Sequence, residues 1–467
     1  MQNRKKYGAW RLLNPQYLQK KVDAYGYHFS WKSHVVLLLA ALAGIGAVGF
    51  LFRLETRGLI VVMAAVAGML PVLILDMYKG MYERRRFADV TAYMEQMLYA
   101  FQKEGKVVTA LKECRGNFAD GQMRSAIDAA IAHLEGGMPS SEAGVLRESL
   151  AMIEADYPCE KLAMVHRLLV GAEELGGDMT DAILFSLEDL EGFKKRGYRL
   201  QAQKKNCHTD NIISIVVAVL LCMIALYVLD GMGMMFAGAR EVSVFAIPAI
   251  QLSSVLFLLA LLGVFVKSTK SLTDNWLQTV GVAEDAYLEK CYQKVLSGRR
   301  RFGSRIARRD VTKHLYLCLP QWLMELALLL QNNNVQVALA RSAEGAPVVL
   351  REELTGLTEH ISKAPERLDS YTGFCEEFDI PEAASCMKML YAFSENGSGN
   401  MQMQIGRLVD RVGQMQQVSE EIVNENIAFH MKLIFSYPVM VATAKLLVDL
   451  SVGMVVMLQM LGAIGGV

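Results

Sequence analysis

Five stretches of the chain are predominantly apolar over a long run: Val35–Phe52, Gly58–Leu75, Ile212–Leu229, Val244–Val266 and Leu433–Ile464. Each reaches the roughly 18–20 residues a helix needs to cross a bilayer core. A water-soluble helix of that length keeps a polar face, so the pattern predicts five transmembrane helices. The first stretch starts too far from residue 1, and a second follows it too soon, for a cleaved signal peptide. Between the stretches the apolar residues fall at helical spacing. Met94, Met97, Leu98 and Phe101 lead to Val107, Val108 and Leu111, and Leu323, Leu326, Leu329 and Leu330 form a second stripe. Both read as core-facing helix surfaces. Gly105 and the run Asn332-Asn333-Asn334 break the two stripes at comparable points, predicting a helical hairpin in each place. Alternating β-branched runs are few and there are 10 prolines in 467 residues, so the predicted fold class is all-α.

The polar regions repeat. Val107-Val108-Thr109-Ala110-Leu111 is echoed by Val335-Gln336-Val337-Ala338-Leu339, and Glu173-Glu174-Leu175-Gly176-Gly177-Asp178-Met179 by Glu395-Asn396-Gly397-Ser398-Gly399-Asn400-Met401. Pro139 and Pro365, then Pro158 and Pro381, hold matching places between these blocks. The offsets drift slowly: 228 (338 − 110), 226 (365 − 139), 223 (381 − 158) and 222 (399 − 177). Order with so little drift points to two copies of one module. The expected organisation is a polytopic membrane protein: a basic, aromatic segment over 1–34, a transmembrane hairpin over 35–76, a first helical-bundle module over 77–210, a second hairpin over 211–268, a second module over 269–431 and a last transmembrane helix over 432–467.

Charge sets the expected orientation. Net charge is zero, but Lys and Arg cluster on alternate sides of the spans. Arg4, Lys5, Lys6, Arg11, Lys20, Lys21 and Lys32 precede the first span, and Lys79, Arg84, Arg85 and Arg86 follow the second. Lys194, Lys195, Arg196, Arg199, Lys204 and Lys205 precede the third, and Lys267 and Lys270 follow the fourth. The intervening loops carry Arg53 and Arg57, or Arg240. The positive-inside rule then places the N-terminus and both modules in the cytoplasm and the C-terminus outside. Trp10, Tyr17, Tyr25, Tyr27 and Trp31 among the first basic residues suit a headgroup-level segment, and a disordered basic tail is the other reading. The arginine clusters Arg84–Arg86 and Arg299–Arg301 with Arg305, Arg308 and Arg309 fit topology and anionic lipid better than nucleic acid, because they abut spans or short linkers; an acidic surface on a motor protein is the other partner they would suit.

The block Glu173-x-x-Gly176-Gly177-Asp178 reads as a tight helix–turn–helix corner. A glycine past a helix end takes the left-handed conformation that closes it, and Asp178, like Asn400, is a good N-cap for the next helix. The outgoing helix carries Ile183, Leu184, Leu187 and Leu190 and runs without a proline through Lys204 into the third span. Its partner leaves Met401 and runs through Leu408 and Val412 toward the fifth. Gly192 and Gly197 are the points where the first would soften.

This corner, the Gly137-Met138-Pro139 turn, the hairpin before it and the juxtamembrane helix after it resemble the type II secretion F domain, the family of inner-membrane platform proteins of type II secretion, type IV pilus and tight-adherence pilus systems. Module one matches at Glu173, Gly176, Gly177, Asp178 and Met179. Module two matches at Glu395, Gly399, Asn400 and Met401, with Ser398 in place of the first glycine and Ala364-Pro365 in place of the Gly-x-Pro turn. The resemblance covers most of 80–467, and the whole looks like a fusion of the two tight-adherence platform proteins. It implies docking of a separate hexameric secretion ATPase, contact with pilin or pseudopilin subunits and with membrane lipid, and no cofactor. A homo-oligomer is open.

Catalytic patterns are missing: no Gly-x-x-x-x-Gly-Lys-Ser/Thr, no His-Glu-x-x-His and no Gly-x-Ser-x-Gly. The eight histidines are isolated from one another, and the eight cysteines form no Cys-x-x-Cys pair; Cys207-His208 is the one adjacent cysteine–histidine pair. Reduced structural thiols and ordinary histidines are expected, with no metal site and no enzyme activity. Two charges stand inside the fifth span. Lys445 and Asp449 are four apart, on one helix face, and each alone would cost roughly 3 kcal/mol at the bilayer centre. Mutual neutralisation against other spans is one reading; contact between Lys445 and an acidic client helix is the other. The expected function is a pilus or pseudopilus assembly platform. A transporter or exporter subunit is the alternative.

Overall fold

The computed structural model describes residues 14–136, 142–175, 180–236, 243–273, 276–277, 282–296, 304–330, 333–344, 346–396 and 401–464. No strand occurs among the described residues. The helices, in order, are α1 (Pro15–Asp23), α2 (Trp31–Leu51), α3 (Thr56–Glu104), α4 (Val107–Asn117), α5 (Gln122–Gly136), α6 (Glu142–Asp156), α7 (Glu160–Leu175), α8 (Thr180–Phe236), α9 (Pro248–Lys270), α10 (Val282–Leu296), α11 (Ser304–Leu330), α12 (Val335–Glu344), α13 (Val348–Lys363), α14 (Asp369–Thr372), α15 (Pro381–Asn396) and α16 (Met401–Ile464). They form two compact units. The first comprises Met1–Arg86, Lys195–Trp276 and Ala428–Val467; the second comprises Phe87–Lys194 and Leu277–Ile427. The two repeated stretches thus share one unit. Helices α3, α8 and α16 each contribute residues to both units.

In the first unit, the apolar composition has the expected consequence. Among the described residues five helices are long and apolar enough to cross a membrane: α2, α3, α8, α9 and the Leu433–Val456 part of α16. Large apolar side chains such as Leu39, Phe50, Leu221, Leu252 and Met454 stand exposed on them, as lipid-facing positions must. The inward positions Phe52, Ala218, Cys222, Leu226, Phe257 and Ala442 close into one core. Local chemistry sets the helix starts. The Ser30 hydroxyl accepts from the Ser33 N–H at 3.2 Å to cap α2, and Pro248 occupies the first turn of α9. The described part of the N-terminal segment, from residue 14, includes a packed helix: Leu18 and Val22 of α1 join Phe29 and Ile74 in a second apolar cluster. Over Pro15–Asp23 the chain is thus an amphipathic helix and not a disordered tail; residues 1–13 lie outside the described residues.

In the second unit, the predicted hairpin stripe is core. Met94, Met97, Leu98, Val107 and Leu111 are all fully buried. Gly105, at φ +67°, ends α3 with its N–H on the Phe101 carbonyl at 2.8 Å, the left-handed closure a glycine permits. The second hairpin turns differently. There the Asn334 side chain accepts from the Val337 N–H at 2.9 Å and caps α12. The stripe of α8 is narrower than its apolar sequence suggests: Ile183 and Leu190 are buried, Leu187 is half-buried and Leu184 is 50% exposed. The buried line runs through Ser186 and Phe193 instead, because 183, 186, 190 and 193 are the positions that share a helix face.

Helix starts repeat with the sequence. Val107 and Val335 open α4 and α12 at an offset of 228 (335 − 107), Gln122 and Val348 open α5 and α13 at 226, and α7 and α15, then α8 and α16, start at 221 (381 − 160, 401 − 180). The series departs at one place. Where the first stretch has the 15-residue α6, the second has the four-residue α14 and a 3-10 turn, Glu376–Phe378. Cys375 and Asp379 flank that turn with φ of 56° and 53°.

Candidate functional sites

The corner motif has one described anchor. Gly176, Gly177, Asp178, Gly399 and Asn400 lie outside the described residues, as does the Gly137-Met138-Pro139 turn. Glu173, on the last turn of α7, reaches back to the hairpin: its Oε2 accepts from the Val107 N–H at 2.8 Å. Val107 opens α4, and Lys106 before it supplies no side-chain cap. Glu173 therefore satisfies an amide that helix geometry leaves open and adds a negative charge at the positive end of α4. Glu395 makes no equivalent bond. It is exposed and accepts from the Tyr391 hydroxyl at 2.6 Å, while Asn334 caps α12.

Polar groups buried between α3, α6, α7 and α8 were not among the sequence candidates. Lys161 of α7 and Asp189 of α8 form an ion pair, 4% and 6% exposed. His166 of α7 bridges the Tyr93 hydroxyl, 3.1 Å from Nε2, and the Glu154 carboxylate, 2.8 Å from Nδ1. Burial pushes the Tyr93 phenol well above its ordinary range, so it stays neutral and serves as a hydrogen-bonding link. These groups are spread over four helices, and only their helical phase could have flagged them as inward-facing.

A cavity of about 450 Å³ opens beside this network. Helices α6 and α7 supply Arg147, Leu150, Glu154, His166, Arg167, Val170, Gly171 and Glu174; α11 and α12 supply Glu325, Leu329 and Arg341. Arg167 donates from Nε and a terminal nitrogen to the two oxygens of Glu325, both at 2.9 Å. This is the bidentate geometry of a strong charge-assisted pair. Arg147 meets both oxygens of Glu174 at 3.0 and 3.1 Å.

In the first unit, Lys445 and Asp449 of α16 come together as their spacing predicts, Nζ to Oδ2 at 2.6 Å. They are 4% and 0% exposed. Helix α9 completes the set. Lys445 lies 3.0 Å from the Ser254 hydroxyl and 3.3 Å from that of Ser253, and Ser253 donates to Asp449 Oδ1 at 2.7 Å. The Phe52 and Phe257 rings face the ammonium at 5.7 and 5.9 Å, within cation–π range. The pair is thus neutralised and solvated by its own chain. A second polar knot joins the α2–α3 and α8–α9 connections: Arg53 lies 3.5 Å from Asp230, whose other oxygen accepts from the Val244 N–H at 2.8 Å.

All eight cysteines are free thiols, and among the described residues no group of three His, Cys, Asp or Glu side chains is placed to hold a metal ion. No family model matches the chain, and neither a curated protein nor a solved structure matches it.

Proposed function

We propose that the chain is a cytoplasmic-membrane platform for assembling a type IV-like filament, either a tight-adherence pilus or a type II secretion pseudopilus. The observation that carries this reading is the repeated helix order at offsets of 228 to 221, with each series ending in a helix that holds a bilayer-length apolar segment. On this reading 77–210 and 269–431 are two copies of one cytoplasmic module, and the chain itself catalyses nothing. A separate hexameric ATPase docks on the modules. Its turnover moves them, and α8 and α16 pass that motion to the apolar segments, which lift pilin-like subunits from the bilayer. The Glu173 corner keeps the origin of α8 fixed to the α3–α4 hairpin. Co-purification of the full chain with a hexameric secretion ATPase from the same organism is the test. Binding in one nucleotide state is expected; no binding in the empty, ADP and ATP states would remove the docking step.

Lys445 enters this scheme as a guarded contact. An acidic client helix must compete with Asp449, so the client reading requires the pair to open. Lys445→Glu is expected to block assembly while the protein still inserts. Normal filaments from that variant would dispose of the client contact.

A transporter or exporter subunit is the second reading. Asn211 and Ser214 favour it, being buried on α8 with side-chain atoms that find no hydrogen-bond partner. Unpaired polar groups at membrane depth commonly mark a transport path. Substrate-dependent flux through reconstituted protein, with no filament defect on deletion, would establish that reading in place of the platform.

A further inference from the structure

We propose that the cavity bounded by α6, α7, α11 and α12 binds a small molecule carrying one oxyanion head, a phosphate or a carboxylate, with Arg341 as its anchor. The volume, about 450 Å³, falls in the ~300–1,000 Å³ range of small-ligand sites. Charge bookkeeping selects the sign of the guest. Each carboxylate in the wall is engaged: Glu325 by Arg167, Glu174 by Arg147 and Glu154 by His166. A cation would have to break one of these pairs. Arg341 has no such counter-charge, so an anion meets a guanidinium whose planar donors suit a phosphate or carboxylate oxygen pair.

The rest of the wall suggests the body of the ligand. Leu150, Val170 and Leu329 form its apolar part. Gly171 leaves a shelf, since a Cβ built there would meet no atom within 4 Å. A compact organic acid or a mononucleotide fits this mixture of one unmatched cation and an apolar floor. Neither stretch of the second unit makes the site alone. The 142–175 helices give the floor and the paired guanidiniums, and α11 and α12 give Glu325 and the anchor. A ligand held against Arg341 therefore ties the two stretches together at the Arg167–Glu325 bridge. The site stands independently of the platform reading.

The test is calorimetric titration of the full chain in lipid nanodiscs with adenosine monophosphate, citrate and inorganic phosphate. Saturable binding of at least one is expected, and the preferred probe assigns the head as phosphate or carboxylate. Arg341→Glu should weaken it by about tenfold or more. Gly171→Leu fills the shelf without removing a charge and should weaken the larger probes while the thermal unfolding midpoint stays within that of a folded protein. Binding that survives both variants unchanged places the anion elsewhere and overturns the proposal. So does the absence of binding by all three probes, including the case in which an acidic peptide alone binds and the cavity is a protein contact.

Discussion

Glu173 caps a helix that begins 66 residues before it. Removing a side-chain cap costs about 1 kcal/mol, so Glu173→Ala should lower the stability of the detergent-solubilised protein by that order. Glu395→Ala, at the matched position, removes an exposed bond to Tyr391 and should change stability by less than about 0.5 kcal/mol. Equal losses in a denaturant titration would mean that the repeat, and not the cap, explains the glutamate. The motif is legible in the sequence because it recurs, but a local reading of a helix–turn–helix corner cannot show which distant amide the glutamate meets. Lys161 and Asp189 were illegible for the same reason, since their pairing depends on how α7 and α8 meet.

Thiols give a pH prediction at the same scale. Burial pushes Cys114 and Cys386 up to about 12 from an ordinary 9.0. The folded protein then keeps protons that the unfolded chain releases above pH ~9. Their stabilising contribution is complete below that pH and is lost as pH rises from 9 toward 12, at most roughly 1.4 kcal/mol per pH unit per thiol. Denaturation midpoints followed from pH 8 to 11 should fall, and Cys114→Ser with Cys386→Ser should flatten the fall. A slope unchanged by the substitutions assigns the loss to other groups.

Elements show where pattern reading succeeds. The hairpins are visible because Gly105 and the asparagine run interrupt long stripes, and α8 is readable as one helix because nothing from Thr180 to Phe236 stops it. Prolines inside helices, at 71, 320 and 438, do not end them, although each removes one backbone donor. The short α14 was not legible, since its surroundings carry no distinct periodicity. The register of α16 on α9 rests on the knot of Lys445, Asp449, Ser253 and Ser254. Breaking one partner of a buried pair costs about 3–5 kcal/mol because a lone charge remains, whereas replacing both with apolar residues is often neutral. Lys445→Met or Asp449→Leu alone should therefore destabilise the protein strongly, and the double variant should recover most of the loss in an unfolding assay in mixed micelles. A double variant as unstable as either single one would show that the hydrogen bonds to the serines, not charge balance, hold the register.

At the scale of the whole molecule, the first unit has two chemically different ends. At one, α1 packs on Ile74, Gly80 of α3 lies against the Leu272 carbonyl, and His208 bonds Ser268 at 2.9 Å. At the other, Arg53 meets Asp230, Gln251 binds the Arg53 and Phe245 carbonyls, and Gly453 of α16 approaches Leu229. The chain enters α16 from the second unit and passes Lys445 toward that second end, so the end of α16 and α1 belong to opposite ends. Lysines and arginines repeat the division. Lys20, Lys21, Lys79, Arg84, Lys267 and Lys270 flank the α1 end, while Arg53, already matched by Asp230, and Arg57 flank the other. On the proposed platform reading, the positive-inside rule predicts that the basic end is the cytoplasmic one. An alkaline phosphatase fused after the last residue should be active, and a green fluorescent protein at the same point dark. Fluorescence there, with an inactive phosphatase, would place the end of α16 in the cytoplasm and the basic end outside, and no cytoplasmic ATPase could then act on the repeated helices.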